Sequence, residues 1–221
     1  MRDSSRNCDT AFILAGGRSS RMSFDKQTIT VGGRLIAEYI ADLLSLEFSR
    51  VFIISNRKSL YQTRSYEVIS DEIVGCGPLS GLYTALRNTT SDYAYLTGCD
   101  MPYVNLEYIR YMKEKLYEQE KPADGILTTT NGFAEPLNAI YHKRLADLIP
   151  PLLKDGKLRM VALYEGNEMI YIPEHIMAGF DPGYEMFFNL NTPDDFSRIT
   201  NHASFSSGNL CSRSVSKSRD K

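Results

Sequence analysis

The sequence predicts an α/β protein built on a single doubly wound, mostly parallel sheet with helices on both faces. Three observations carry that reading. Strand-length apolar runs alternate with segments whose apolar residues recur at helical spacing, the pattern of repeated βα units. Some runs, such as Val51-Phe52-Ile53-Ile54, are apolar throughout, as expected of strands covered on both faces. The glycines and acidic residues that stand out, Gly16-Gly17, Asp71 and Asp100, follow the ends of such runs, where open parallel sheets bind ligands. At 221 residues the chain suits one domain with tails. Its 43% hydrophobic and 24% charged residues exclude disorder over most of the length.

The elements follow in order. Residues 10–14 form a strand that stops at Ala15-Gly16-Gly17. Leu35, Ile36, Tyr39, Ile40, Leu43 and Leu44 give helical spacing over 35–48. Strands are expected at 50–55 and 66–69, the second ending in Ser70-Asp71. Pro78 opens a helix to about Asn88, proline being favoured in a first turn. A strand at 93–97 runs into Gly98-Cys99-Asp100, and Ile109, Met112 and Leu116 line one face of the next helix. Strands at 124–130 and 138–141 flank a Thr130-Asn131-Gly132 turn. Helices near 143–153 and 156–165, strands near 168–172 and 186–190, and a helix from Pro193 complete the domain, placed at 10–200. Residues 1–9 read as a flexible N-terminus, and 201–221, with seven serines and little apolar content, as a disordered Ser/basic tail.

Several function classes fall away. No apolar run reaches the ~18 residues of a membrane-spanning helix, and the apolar stretch before Gly16 is too short for a secretory leader, so a cytoplasmic protein is expected. Cys8, Cys76, Cys99 and Cys211 form no CxxC pair, which argues against structural zinc and a disulfide framework. The net charge is −2, and the tail holds Arg213, Lys217, Arg219 and Lys221 against Asp220, so the body is more acidic still. Such a body is a poor general nucleic-acid binder. His142, His175 and His202 stand apart, and no Ser-His-Asp or Cys-His arrangement suggests a covalent nucleophile.

The chemistry points to phosphate. Gly16 and Gly17 let the backbone turn and approach a ligand, and their N–H groups can cradle phosphate oxygens. Arg18, Arg21 and Lys26 add three cations within nine residues. The loop is not a Walker A sequence, because Gln27 stands where Ser or Thr would hold magnesium. Gly75-Cys76-Gly77-Pro78-Leu79-Ser80 lacks the third glycine of a dinucleotide fingerprint. It reads as a backbone wall leading into a helix N-terminus, or as a turn only. Asp100 can hold Mg²⁺ through one carboxylate or cap the following helix, and Asp71 carries the same ambiguity. Asn189 and Asn191 lie two apart, so on a strand they share a side and can face a ligand; Thr192-Pro193 reads as a helix start.

Leu14-Ala15-Gly16-Gly17 with Arg21 and Asp25-Lys26 resembles the opening motif of sugar-phosphate and related nucleotidyltransferases. Four further segments resemble the molybdenum cofactor guanylyltransferase family: Gly77-Pro78-Leu79-Ser80-Gly81-Leu82, Cys99-Asp100-Met101-Pro102, Glu135-Pro136-Leu137-Asn138-Ala139-Ile140-Tyr141 and Asn189-Leu190-Asn191-Thr192-Pro193. The resemblance implies a Rossmann-like nucleotidyltransferase fold and transfer of GMP from GTP to the terminal phosphate of molybdopterin, with pyrophosphate released. It implies a GTP site at Leu14, Ala15, Gly16, Gly17, Lys26, Asn56, Asp71, Gly77, Pro78 and Asp100. It also implies Mg²⁺ on Asp100, catalytic roles for Lys26, Arg21 and Asp100, and molybdopterin contacts at Arg159, Asn189 and Asn191. Ser23 departs from the family's usual glycine, and Gly156-Lys157-Leu158-Arg159 keeps one of two arginines often found there. The alternatives are a related transferase using CTP or a sugar-phosphate acceptor, and a non-catalytic nucleotide or cofactor carrier. The resemblance leaves room for transient contact with cofactor-handling proteins, and none for nucleic acid or membrane.

Overall fold

The structure, a computed structural model, describes residues 7–16, 25–61, 66–192, 195 and 199. Seven strands form one sheet: β1 (Thr10–Leu14), β4 (Arg50–Ile54), β5 (Glu67–Ile69), β6 (Tyr93–Gly98), β7 (Gly125–Thr130), β8 (Phe133–His142) and β9 (Met169–Pro173). Their spatial order is β5-β4-β1-β6-β8-β7-β9. β8 pairs antiparallel with both β6 and β7, and the other neighbouring pairs are parallel. The chain runs outward from β1 through β4 to β5, then returns to β6 on the other side of β1. That reversal makes the carboxyl end of β1 the switch point at which open parallel sheets bind ligands.

Helices cover both faces. Ala11, Ile13, Val51, Ile53, Tyr93 and Tyr95 face a core shared with α1 (Ile36–Leu44) and α3 (Leu106–Tyr117). Phe12, Phe52, Ile54, Ala94 and Leu96 face a second core shared with α2 (Pro78–Asn88) and α4 (Ile149–Lys154). The alternation of successive residues between two apolar layers is what makes these strands apolar throughout. Phe12 and Phe52 stack at 4.9 Å on the α2 side. α3 is capped by Asn105, whose side chain accepts from Tyr108 N at 3.0 Å, so Asp100 is not that helix's cap.

Four expectations change. Residues 7–9 are not a flexible end. Tyr93 N donates to Asn7 O at 3.0 Å, Arg50 N to Asp9 O at 3.2 Å, and Cys8 is buried, because the strands flanking β1 extend its pairing backwards. The helix expected at 143–153 begins as a 3-10 turn over Lys143–Leu148 and becomes α4 only at Ile149. Pro150 and Pro151 have no N–H to give to the preceding turn's carbonyls, which breaks a continuous α-helix. The helix expected at 156–165 reduces to a 3-10 turn, Met160–Leu163, between Gly156 and Gly166, both at positive φ. No strand forms at 186–190. Glu185–Phe187 is a 3-10 turn, and Leu190 N donates to Asp100 O at 2.9 Å, so the segment crosses the sheet's carboxyl edge instead of joining it. A hairpin of β2 (Thr30–Val31) and β3 (Arg34–Leu35) around Gly32-Gly33 and a short α5 (Glu174–Met177) were not anticipated. Residues 1–6, the tail 201–221 and most of the helix expected from Pro193 lie outside the described residues.

Candidate active site

The site forms where β1 ends. Ala15 N donates to Ile54 O at 2.9 Å, and Cys99 N donates to Leu14 O at 3.0 Å. Leu14, Ala15 and Gly16 therefore emerge held between β4 and β6. α2 packs its fourth residue against this exit: a Cβ on Gly81 would stand 2.6 Å from Leu14 Cδ2. A larger residue there would have to push the Leu14 side chain aside. The helix's first residues, Gly77 and Pro78, thus sit at the carboxyl edge, with Gly77 at φ 71. Gly17 and Arg21 lie outside the described residues.

β5 contributes Asp71. Asn56 Nδ2 donates to Asp71 Oδ2 at 3.1 Å, and Asp71 N donates to Asn56 Oδ1 at 3.1 Å. This reciprocal pair bridges the loops after β4 and β5. The Asp71 carboxylate reaches towards Gly16, where a Cβ would lie 3.5 Å from its Oδ2. Partial burial raises the Asp71 carboxyl above its ordinary range, and the Asn56 hydrogen bond pulls the other way.

The centre of the site is Lys26. It opens a 3-10 turn, Lys26–Thr28, capped by Asp25, whose carboxylate accepts from Gln27 N at 3.0 Å and pairs with the Arg57 guanidinium. Lys26 Nζ donates to Asp100 Oδ2 at 2.8 Å and to Asn191 Oδ1 at 3.0 Å. Three distant segments thus converge on one ammonium group. Asp100 follows β6, and a Cβ on Gly98 would meet its Oδ1 at 2.5 Å. Next to it the Cys99 thiol is pushed up to about 12, by burial first and then by the Asp100 charge. It stays protonated and is no nucleophile at neutral pH.

The other expected contacts separate. Asn189 does not share Asn191's role: its Nδ2 donates to Phe187 O at 3.2 Å, and with no strand present the two-residue spacing does not align them. Asn191 is held by a reciprocal cap. Asn191 N and Thr192 N donate to Asp195 Oδ2 at 2.9 and 2.8 Å, and Asp195 N donates to Thr192 Oγ1 at 3.3 Å. Arg159 is exposed before the 3-10 turn Met160–Leu163, which packs into the α2-side core. Among the described residues no hydrogen bond or ion pair joins it to Lys26 or Asp100.

Sequence reading missed two features. A cavity of about 400 Å³ lies at the same carboxyl edge, lined by Tyr103, Thr130, Asn131, Tyr184, Phe187 and Phe188. Tyr184 there holds a left-handed backbone, φ 56, which costs energy for a residue with a side chain. The aromatic pair Phe187-Phe188 was the available signal. The second feature is Gln27, buried beneath Lys26 with its Oε1 accepting from Ser55 Oγ at 2.7 Å.

The MobA-like NTP transferase domain matches residues 11–168. The chain belongs to that family. A molybdenum cofactor guanylyltransferase of Syntrophotalea carbinolica is 37% identical over 189 residues, covering 86% of this chain and 89% of that protein. A probable molybdenum cofactor guanylyltransferase of Peptoclostridium acidaminophilum is 36% identical over 197 residues, covering 86% and 89%. The fold of this MobA-like transferase is similar to that of molybdopterin-guanine dinucleotide biosynthesis protein A from Archaeoglobus fulgidus, with TM-score 0.73, 24% identity, and 89% and 99% of the two chains covered. It is also similar to 2-C-methyl-D-erythritol 4-phosphate cytidylyltransferase from Thermus thermophilus, with TM-score 0.64, 12% identity, and 90% and 100% covered. The scaffold of this MobA-like chain is thus shared with a cytidylyltransferase, and the fold alone does not choose the base.

Proposed function

We propose that the chain transfers GMP from GTP to the terminal phosphate of molybdopterin or its molybdenum-loaded form. The observation that carries this is the convergence of Lys26, Asp100 and Asn191 beside the glycine-ended β1. It supplies a cation and a carboxylate at the place where a parallel sheet presents a nucleotide's phosphates. The relatives' names supply the guanine and the acceptor.

A phosphate oxygen of the acceptor attacks the α-phosphorus of GTP. The bond from that phosphorus to the bridging β-phosphate oxygen breaks, and pyrophosphate leaves with the electron pair. The acceptor is already a phosphate anion, so no strong base is needed. Catalysis is positioning and charge neutralisation. The backbone at Leu14, Ala15 and Gly16, with Asp71, Asn56 and the start of α2 at Gly77 and Pro78, holds the nucleotide. Lys26, assisted by Arg21, stabilises charge gathering on the leaving pyrophosphate.

Asp100 fits Mg²⁺. Among the described residues no three metal-type side chains cluster, which argues against a closed protein cage. One carboxylate completed by phosphates and water is the usual Mg²⁺ arrangement in phosphoryl chemistry. When bound, the ion neutralises phosphate charge as a Lewis acid. Asn191 keeps the Lys26 ammonium directed, and the aromatic cavity at the same carboxyl edge receives the acceptor's ring, with Asn189 and Arg159 at most peripheral. The enzyme works in the cytoplasm, consistent with the free thiols of Cys8, Cys76 and Cys99. It meets cofactor-handling proteins transiently.

Pyrophosphate release decides the reading. Turnover is expected with GTP, Mg²⁺ and molybdopterin, and not with CTP or with a sugar phosphate as acceptor. Preference for CTP would move the chain to the cytidylyltransferase reading. GTP binding without any turnover would make it a carrier. Lys26→Ala is expected to lower kcat more than it weakens GTP binding.

A further inference from the structure

Lys26 projects into the site from a turn of only three residues, which on its own holds a long side chain poorly. Its neighbour Gln27 is 8% exposed, although it carries a polar amide. Gln27 Oε1 accepts from Ser55 Oγ at 2.7 Å and from Tyr61 OH at 3.5 Å. Ser55 is fully buried directly after β4. Its N donates to Ile69 O at 2.8 Å, at the end of β5, and its Oγ accepts from Arg57 N at 3.0 Å. The amide is therefore fastened to the carboxyl ends of two strands. On the solvent side the Arg57 guanidinium pairs with Asp25, the cap of the same turn. The turn is gripped from inside and outside by one segment, 55–61, and Lys26 lies between the two grips.

A buried amide is a costly way to fill space, because an apolar side chain of equal volume needs no partners. What it adds is direction. We propose that Gln27 is a positioning residue that, through Ser55, fixes the turn from which Lys26 reaches the reacting phosphates. This rests on the reading of Lys26 as a phosphate contact. It adds that the register of Lys26 is set by its fastening to the sheet. Misplacing a charge-stabilising group by about 1 Å can cost up to ~10²-fold in rate, so the grip matters to turnover more than to nucleotide affinity.

The test is a double-mutant cycle. Gln27→Met keeps an unbranched chain and loses the acceptor. In the wild-type background it is expected to lower kcat by about tenfold or more while GTP Kd, measured by direct titration, moves less than about threefold. In a Lys26→Ala background the same change is expected to lower kcat by less than about twofold, because there is no ammonium left to misplace. A merely structural role would lower kcat in both backgrounds alike, and multiplying effects would overturn the proposal. Unchanged kcat in Gln27→Met would overturn it too. Lys26→Ala with normal turnover would overturn the reading of Lys26 and this inference with it, whereas an impaired Lys26→Ala without coupling overturns the inference alone. Should Gln27→Met fail to fold, Ser55→Ala removes the donor instead, and the same cycle is expected from it.

Discussion

Gly98→Ala tests the position of Asp100 without touching its charge. Gly98 ends β6 and does not need a positive φ, so alanine is acceptable to its backbone. The obstacle is space: the new Cβ would stand 2.5 Å from Asp100 Oδ1 and 3.2 Å from Leu137 Cδ1. A carbon–oxygen contact relaxes near roughly 3.3 Å, so the carboxylate must withdraw by about 0.8 Å. Leu137 blocks relief of the crowding through the new methyl group itself. The carboxylate that moves is the one holding Lys26 Nζ at 2.8 Å. Overpacking costs about 1–3 kcal/mol, and alanine regains about 0.5–1 kcal/mol over glycine in a strand. The net loss of up to about 2.5 kcal/mol corresponds to a melting point lower by up to roughly 10 °C at this chain length. Turnover per folded molecule is expected to fall by about tenfold or more. The assay is pyrophosphate release at saturating GTP and Mg²⁺, beside thermal melts. Gly125→Ala is the control. Its Cβ would lie 2.7 Å from both Ile140 O and Met169 Cε at the far end of β7, so it strains the sheet without reaching the site. Full turnover in Gly98→Ala would refute the argument, as would equal losses of turnover per folded molecule in the two variants.

Other outcomes follow from the same geometry. Asp100→Asn keeps the shape and loses the charge, and turnover should fall by at least ~10²-fold; near-normal rates at saturating Mg²⁺ would remove Asp100 from the metal. The Asp71 carboxyl is raised on folding, chiefly by burial, so the folded state holds its proton more tightly. Its contribution to stability is therefore fully present below the ordinary aspartate range and is lost as pH rises through the folded value. Melts of Asp71→Asn should lack that decline, and a parallel pH profile in both proteins would contradict the shift. Thr192→Ala removes half of a reciprocal cap and should cost about 1 kcal/mol, seen as a lower denaturation midpoint; no change would mean the cap carries no load. Cys99→Ala should retain turnover within about twofold, because a thiol held near 12 takes no part in the chemistry at neutral pH.

The strands around the site were legible because burial on both faces leaves no polar residue in the run, as Val51 to Ile54 illustrate. Gly16, Asp71 and Asp100 stood out because polar residues ending such runs have few structural excuses, and Asn105 turned out to do the capping that Asp100 was offered. What the sequence could not display is who meets whom. Lys26 and Asp100 are 74 residues apart, and Lys26 and Asn191 are 165 apart. Their meeting depends on the strand order, which no local pattern encodes. A period of two aligns Asn189 with Asn191 only on a strand, and the segment instead crosses the sheet edge. Gln27 has no linear signal beyond not being a P-loop hydroxyl, since its partner Ser55 lies 28 residues away. The cavity is built by three loops from different parts of the chain and has no linear signature.

The hydrogen bonds joining Lys26 to Asn191 and Leu190 to Asp100 have a consequence for the protein's birth. All four strands from β5 to β6 have been made once Asp100 has been made, yet the ammonium group then has only one of its two side-chain acceptors. At translation speeds of roughly 5–20 residues per second, the stretch from Asp100 to Asn191 takes on the order of ten seconds to emerge. Until Asn191 has been made, a nascent chain therefore carries the Lys26 ammonium without that acceptor, however much of the central sheet has formed.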